Sequence, residues 1–294
     1  MNISIILAAG EGTRMKSNIP KTLHSICGKP MLGYVIDVCR QSNIEKSYVI
    51  VGHGGESIRE RFKDYDIEFK TQPIGEDYPY GTGYAVMQAI DYVDDYDNVI
   101  ILCGDTPLIT SRTIERLIEY HNKSNSSGTV LTAILDDPAG YGRIVRDSGG
   151  NVIKIVEERD ATEEQKKLKE INSGMYCFNG KDLKYALAKI DNDNAQGEYY
   201  ITDVITILNE KGRTIGGLIV GDSREIYGVN SRVQLAFCEG VMRDRINEGH
   251  MLEGVTIINP ANTYIEAGVK IGRDSIIYPG AVLMGDTIIG RDCI

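Results

Sequence analysis

Ile3-Ser4-Ile5-Ile6-Leu7-Ala8-Ala9-Gly10-Glu11-Gly12-Thr13-Arg14-Met15 opens the chain with a short aliphatic run that passes straight into small residues. The run to Leu7 predicts a buried strand. Glycines behind it let backbone N–H groups come close to a ligand at the strand's carboxyl end, where open α/β sheets bind theirs. A dinucleotide fingerprint needs a third glycine where Met15 stands, and a Walker loop needs Gly-Lys-Ser/Thr, so neither applies. Arg14 and Lys21 fall in the same loop, and Pro20 fixes the backbone ahead of Lys21. Two cations beside free N–H groups suit a triphosphate. Taken alone, the loop is equally a glycine-rich turn with solvated charges.

Outward from this stretch the texture repeats. Tyr48-Val51 and Val99-Leu102 are again short apolar runs, each followed by a helix-like pattern. The helix after the first strand is expected near Met31 to Ser42, with Leu32, Val35, Ile36 and Cys39 on one face. Such alternation predicts an α/β fold, a mostly parallel sheet with helices on both faces, over residues 1–229. Val233, Leu235, Cys238, Val241, Met242 and Ile246 then mark a connecting helix, residues 230–250. Beyond it, Ile265, Ile271, Ile277, Leu283 and Ile289 recur at every sixth residue, the hexapeptide pattern of a β-helix, over residues 251–294. Each coil of a solenoid buries its apolar face only against neighbouring coils. So short a stub is expected to belong to a shortened chain or to be covered by another subunit.

Totals narrow the function. At 294 residues, 42% hydrophobic and 25% charged, the chain can bury full cores. The formal charge of -10 argues against nucleic acid as a partner but leaves anionic small molecules open, since one cleft can reverse the local sign. Six dispersed cysteines without a Cys-x-x-Cys pair predict reduced, buried thiols, and four scattered histidines give a zinc site nothing to build on. No stretch nears the ~20 apolar residues of a membrane span, and no secretory leader opens the chain. No membrane partner and a cytoplasmic location are the expectations.

Leu-Ala-Ala-Gly-x-Gly-Thr-Arg-Met followed by Pro-Lys resembles the signature of the sugar-nucleotide pyrophosphorylases. Gly81-Thr82-Gly83, Gly104-Asp105-Thr106-Pro107-Leu108, Gly140-Tyr141-Gly142-Arg143-Ile144, Ile155-Val156-Glu157, Ile171-Asn172-Ser173-Gly174, the run Asn194 to Asp203, and Gly228-Val229-Asn230 follow in family order. Together with the hexapeptides they resemble the bifunctional bacterial N-acetylglucosamine-1-phosphate uridylyltransferase/glucosamine-1-phosphate acetyltransferases, and the likeness runs to the last residue. It implies a Rossmann-like nucleotidyltransferase fold followed by the start of a left-handed parallel β-helix. It also implies formation of UDP-N-acetylglucosamine and pyrophosphate from UTP and N-acetylglucosamine-1-phosphate, with Mg2+ as cofactor and a homotrimer as the family's assembly. The acetyl-transfer coils of that family lie further along the β-helix, so acetyltransferase activity is not expected here.

By this resemblance Asp105 and Asn230 hold the metal, and Arg14 and Lys21 handle the triphosphate and the leaving pyrophosphate. Leu7, Ala8, Ala9, Gly10, Gln72, Gly81 and Thr82 contact uracil and ribose, and Cys103 and Gly104 carry Asp105 to the sheet edge. Gly142, Glu157, Asn172 and Tyr199 take the sugar. Read without the family, Asp105 is a turn residue beside Thr106-Pro107, Asn230 a helix cap, Glu157 a solvated acid and Asn172 a turn asparagine. One stretch departs from the pattern: Pro73-Ile74-Gly75-Glu76-Asp77-Tyr78-Pro79-Tyr80 replaces a shorter segment ending in Gln-Leu, so the second expected glutamine is missing. A relative using another base or sugar phosphate, or a non-catalytic nucleotide-sensing subunit, are the alternatives.

Overall fold

The computed structural model describes residues 1–294. Strand β1 (Asn2–Ala8) alternates its apolar side chains between two cores. Ile3 and Ile5 enter one, Ile6 and Ala8 the other, as expected for a strand buried on both faces. A two-residue hairpin, β2 (Ser25–Ile26) and β3 (Lys29–Pro30), leads into α1 (Met31–Gln41). Leu32, Val35, Ile36 and Cys39 are fully buried there, as their three- and four-residue spacing predicts. Then follow β4 (Lys46–Val51), α2 (Gly55–Arg61), β5 (Glu68–Thr71), α3 (Thr82–Met87) and β6 (Asn98–Cys103). In β6, Val99 and Ile101 join the first core while Ile100 and Leu102 join the second. Each fully buried aliphatic side chain of this kind contributes about 1.5–3 kcal/mol.

Helix α4 (Ser111–Ser124) starts at Thr110, whose hydroxyl accepts the Thr113 N–H at 3.3 Å, and stops at Asn125 in the left-handed region. The remaining strands of the large sheet are β7 (Gly128–Ile134), β8 (Arg143–Arg146), β9 (Val152–Val156), β10 (Glu170–Asn179) and β11 (Ile215–Ile219). Helices α5 (Gly180–Leu187) and α6 (Asp203–Glu210) lie between the last two. The main order is β11-β7-β10-β6-β1-β4-β5, with β8 and β9 attached beside β10. It is mostly parallel; β10 runs antiparallel to both β6 and β7. The chain lays β4 and β5 on one side of β1 and then returns to place β6 on the other. The carboxyl ends of β1 and β6 therefore flank a topological switch point, the expected ligand crevice of such a sheet.

Helix α7 (Arg232–Leu252) follows, capped by the Ser231 hydroxyl on the Gln234 N–H. Cys238 and Met242 pack with Met15, Ile26 and Val229, so the helix rests on the opening loop; Val233, expected on its apolar face, is instead 81% exposed. Six two-residue strands, β12 (Thr256–Ile257), β13 (Tyr264–Ile265), β14 (Lys270–Ile271), β15 (Ile276–Ile277), β16 (Val282–Leu283) and β17 (Ile288–Ile289), end the chain. Each pairs in parallel with the third one along, and the five six-residue-spaced aliphatics share one small core with Val255, Ile257 and Val269. All six cysteines are free thiols, but the expectation of burial fails for Cys293, which is exposed, and Cys103, which is half-buried at the end of β6.

Candidate active site

At the switch point lies a cleft of about 230 Å³, lined by Leu7, Ala9, Gly10, Lys21, Gln72, Tyr80, Gly81, Thr82, Ala85, Cys103, Asp105 and Glu198. Eight of the residues singled out in the sequence for nucleotide contact, Leu7, Ala9, Gly10, Gln72, Gly81, Thr82, Cys103 and Asp105, meet here together with Lys21. Two of its walls are fixed by the backbone. Gly104 N–H bonds the Leu7 carbonyl at 2.9 Å, tying the ends of β1 and β6, and Gly83 N–H bonds the Tyr199 carbonyl at 2.7 Å.

Glycine has distinct reasons at three positions. Around Gly10 no atom lies within 4 Å of where a Cβ would stand, so the free protein has room there and only an approaching ligand would not. Gly12 has φ +68°, and a Cβ would lie 2.7 Å from Cβ of Lys21. Gly81 has φ +122° and would drive a Cβ to 2.5 Å from the Tyr199 carbonyl oxygen.

The charged centre is Lys21. Its Nζ is paired with the Asp105 carboxylate and donates to Asn230 Oδ1 at 3.0 Å. Residues 84 and 209 positions away in sequence thus aim oxygen atoms at one ammonium group. Backbone geometry supports the meeting: Val229 N–H bonds the Asp105 carbonyl at 2.9 Å, and the empty Cβ position of Gly228 lies 3.8 Å from Asn230 Nδ2 and 3.9 Å from Asp105 Oδ1. Asn230 is not the α7 cap, which is Ser231; Asp105 does sit in the turn that Thr106 N–H closes on the Cys103 carbonyl at 3.3 Å, with its side chain on Lys21. No group of three or more His, Cys, Asp or Glu side chains forms a metal cage, so any ion here would draw on few protein donors.

Other candidates fall outside the cleft. Arg14 stands exposed on the short helical turn Thr13–Met15. Ala8 is turned into the second core. Gly142, Glu157 and Asn172 form a separate group, where a Cβ on Gly142 would lie 3.4 Å from Glu157 Oε2 and 3.5 Å from Asn172 Cβ. Burial raises the Glu157 carboxyl pKa, although Glu157 Oε1 accepts the Thr202 hydroxyl at 3.3 Å. The Asn172 amide serves a bulge in β10: its Oδ1 accepts Gly174 N–H at 3.0 Å and its Nδ2 donates to Tyr176 Oη at 2.8 Å. The turn role holds there, with both ends of the amide engaged within β10. Cys103 connects the two groups, its thiol donating to the Gly174 carbonyl at 3.4 Å, and burial, with the Asp105 charge, pushes that thiol up to about 12. Tyr199 packs its ring against the first core and meets the cleft region through its backbone alone.

Tyr80, Ala85 and Glu198 line the cleft without having been singled out. Glu198 sits inside the quoted run Asn194 to Asp203, so a signal existed for it; Tyr80 ends the departing segment, and Ala85 had none.

The sequence profile of the nucleotidyl transferase family matches residues 3–222. Among similar proteins, the Bifunctional protein GlmU of Caldanaerobacter subterraneus subsp. tengcongensis is 53% identical over 291 residues, 99% of this chain and 62% of that protein. The same-named protein of Clostridioides difficile is 49% identical over 292 residues, again 99% and 62%. The chain thus spans about three-fifths of the length of these relatives. A crystal structure titled as a putative glucose-1-phosphate thymidylyltransferase from Bacillus anthracis in complex with a sucrose superposes with TM-score 0.66, at 22% identity, covering 83% of this chain and 96% of that one, a likeness of fold. With the profile running from β1 past β11 and taking in the switch-point cleft, the chain belongs to the nucleotidyl transferase family.

Proposed function

We propose that the chain transfers a uridylyl group: a phosphate oxygen of N-acetylglucosamine-1-phosphate attacks the α-phosphorus of UTP in line, giving UDP-N-acetylglucosamine and pyrophosphate. One observation carries this reading, the convergence of Asp105 and Asn230 on the Lys21 ammonium at the edge of the cleft behind the glycine loop. The similarity to proteins named GlmU over 99% of the chain supports the choice of sugar and base.

The attacking phosphate is ionised near neutral pH, its second pKa being about 6, so no general base is required. The cleft lining accordingly holds no histidine. What the residues must supply is positioning and charge. Leu7, Ala9, Gly10, Gln72, Gly81 and Thr82 bind and orient the nucleotide. Lys21 stabilises charge on the triphosphate, and Arg14, exposed on the same loop, adds a second cation toward the leaving pyrophosphate. Gly142, Glu157 and Asn172 form the sugar subsite, with Tyr199 fixing the neighbouring wall through its backbone.

Asp105 and Asn230 fit a divalent ion, because both already point oxygens at one cation and a carboxylate plus an amide leave positions for water and phosphate, as Mg2+ prefers. Held there, Mg2+ would offset phosphate charge as a Lewis acid. The short parallel coils of residues 256–289 are read as the start of a left-handed β-helix, with division at 1–229, 230–250 and 251–294 and a cytoplasmic location; the homotrimer is the family's assembly, and sedimentation decides whether this short stub holds one. No helix is long and apolar enough to cross a membrane.

A base other than uracil is the second reading, favoured by the Pro73 to Tyr80 segment. A matrix of nucleoside triphosphates against sugar-1-phosphates, followed by pyrophosphate release, tests both. UTP with N-acetylglucosamine-1-phosphate should turn over fastest, and Asp105→Ala should lose at least a hundredfold in rate. Absence of pyrophosphate with every pair, or full turnover in that variant, would sink the assignment.

A further inference from the structure

Residues 72–81 join β5 to α3 across one end of the cleft, and within them the sequence leaves the family pattern. Gln72, at the start, is buried; of the segment 73–80 only Tyr80 lines the cleft. Its backbone is anchored twice. The Tyr80 carbonyl accepts the Tyr199 N–H at 2.8 Å, and the next residue, Gly81, is in a positive-φ conformation against the Tyr199 backbone that no other residue would fit. An anchored main chain therefore delivers an aromatic side chain that remains 44% exposed to the lining of the cleft.

The charges whose fields reach its hydroxyl are Glu198, Glu11 and Lys21; burial first, then the two carboxylates, raises its pKa, and no hydrogen bond within the protein engages it. The phenol thus keeps its proton at neutral pH and has an unused donor. Lys21, joined to Asp105 and Asn230, marks the phosphate end of the cleft.

We propose that Tyr80 is a nucleotide-binding residue of this chain, whose ring covers the bound nucleoside triphosphate at the cleft mouth and whose hydroxyl donates to a phosphate oxygen. The proposal rests on the uridylyltransferase reading of the same cleft. It gives the departing segment a function: a phenol O–H on the phosphates and ring area over the ligand, in place of a base-reading glutamine. An O–H donor to an anionic oxygen is among the stronger neutral-to-charged hydrogen bonds, so its loss should be visible as about tenfold in affinity.

Equilibrium dialysis with labelled UTP in the presence of magnesium, and competition by unlabelled uridine, distinguishes the parts. Tyr80→Phe keeps the ring and should weaken UTP about tenfold while leaving uridine competition and melting temperature unchanged. Tyr80→Leu should weaken both ligands. Tyr80→Phe binding UTP as tightly as wild type, or losing uridine and UTP by the same factor, would overturn the role of the hydroxyl. Wild-type protein that fails to retain UTP would instead overturn the uridylyltransferase reading, and this inference with it.

Discussion

Two neighbouring glycines of the opening loop separate ligand binding from folding. Gly10 has open space where a Cβ would go, so Gly10→Ala should melt like wild type yet bind UTP at least tenfold more weakly, because the methyl meets only the nucleotide. Gly12→Ala forces a left-handed backbone on an L residue and presses on Lys21, and should lower stability by about 1–2 kcal/mol in denaturant titration. Equal effects from both would mean that the loop is a plain turn. Lys21 poses a different question, since its ammonium stands between the two oxygens assigned to a metal. Lys21→Met removes that competitor, so nucleotide-free protein should bind Mn2+ more tightly than wild type by electron paramagnetic resonance, while UTP affinity falls. The sequence named all three residues, Lys21, Asp105 and Asn230, as members of one site. It could not show that they touch, because a contact spanning 209 positions is made by the sheet order and leaves no local pattern. Tyr199 reaches the cleft region in a way that its residue type does not signal. Its ring is an ordinary core side chain, and only its backbone, to which residue identity is nearly blind, meets Gly81 and Gly83.

Element boundaries followed the apolar periods closely where burial was one-sided or complete. Helix α1 and strands β1, β4 and β6 lie where Leu32 to Cys39, Ile3 to Leu7, Tyr48 to Val51 and Val99 to Leu102 predict them. The hexapeptide strands were legible by period alone, for two-residue strands are too short for propensity to register. Helix α7 was harder: with Val233 exposed and only Cys238, Met242 and Asn247 buried, it presents a narrow stripe. Helix α6 offers a test at this scale. Asp203, its first residue, has its pKa raised to about 6 by burial and by Asp191. The folded chain therefore holds this proton more tightly than the unfolded chain, and the stabilisation by the protonated form is complete below about pH 4 and lost as pH rises through about 6. Asp203→Asn, which cannot ionise, should raise the melting temperature at pH 7.5 and show little difference at pH 4. A larger gain in acid would contradict the burial of that carboxyl.

Over the whole molecule, α7 is the strut between the opening loop and the C-terminal coils. At its amino end Arg232 Nε donates to the Met15 carbonyl at 3.3 Å, and Arg245 Nη1 reaches the Leu108 carbonyl at 2.6 Å. Near its other end Asn247, with no exposed surface, donates from Nδ2 to the Pro260 carbonyl at 3.0 Å and the Thr263 carbonyl at 3.2 Å. A second tie runs from Ala267 N–H to the Cys27 carbonyl at 3.0 Å, while Cys27 N–H is held by the Glu239 carboxylate. Ligand binding and coil stability should be separable if these ties are mechanically independent, because Asn247 touches no residue of the cleft. Asn247→Ala leaves the Thr263 carbonyl without a partner, while the Pro260 carbonyl keeps the Thr263 N–H at 3.3 Å, at about 1–3 kcal/mol for the group left unpaired. Hydrogen exchange should then accelerate across residues 255–277 while UTP affinity stays within twofold of wild type. A parallel fall in UTP affinity would show instead that the coils brace the opening loop, along α7 to Met15 or through the Ala267 to Cys27 tie.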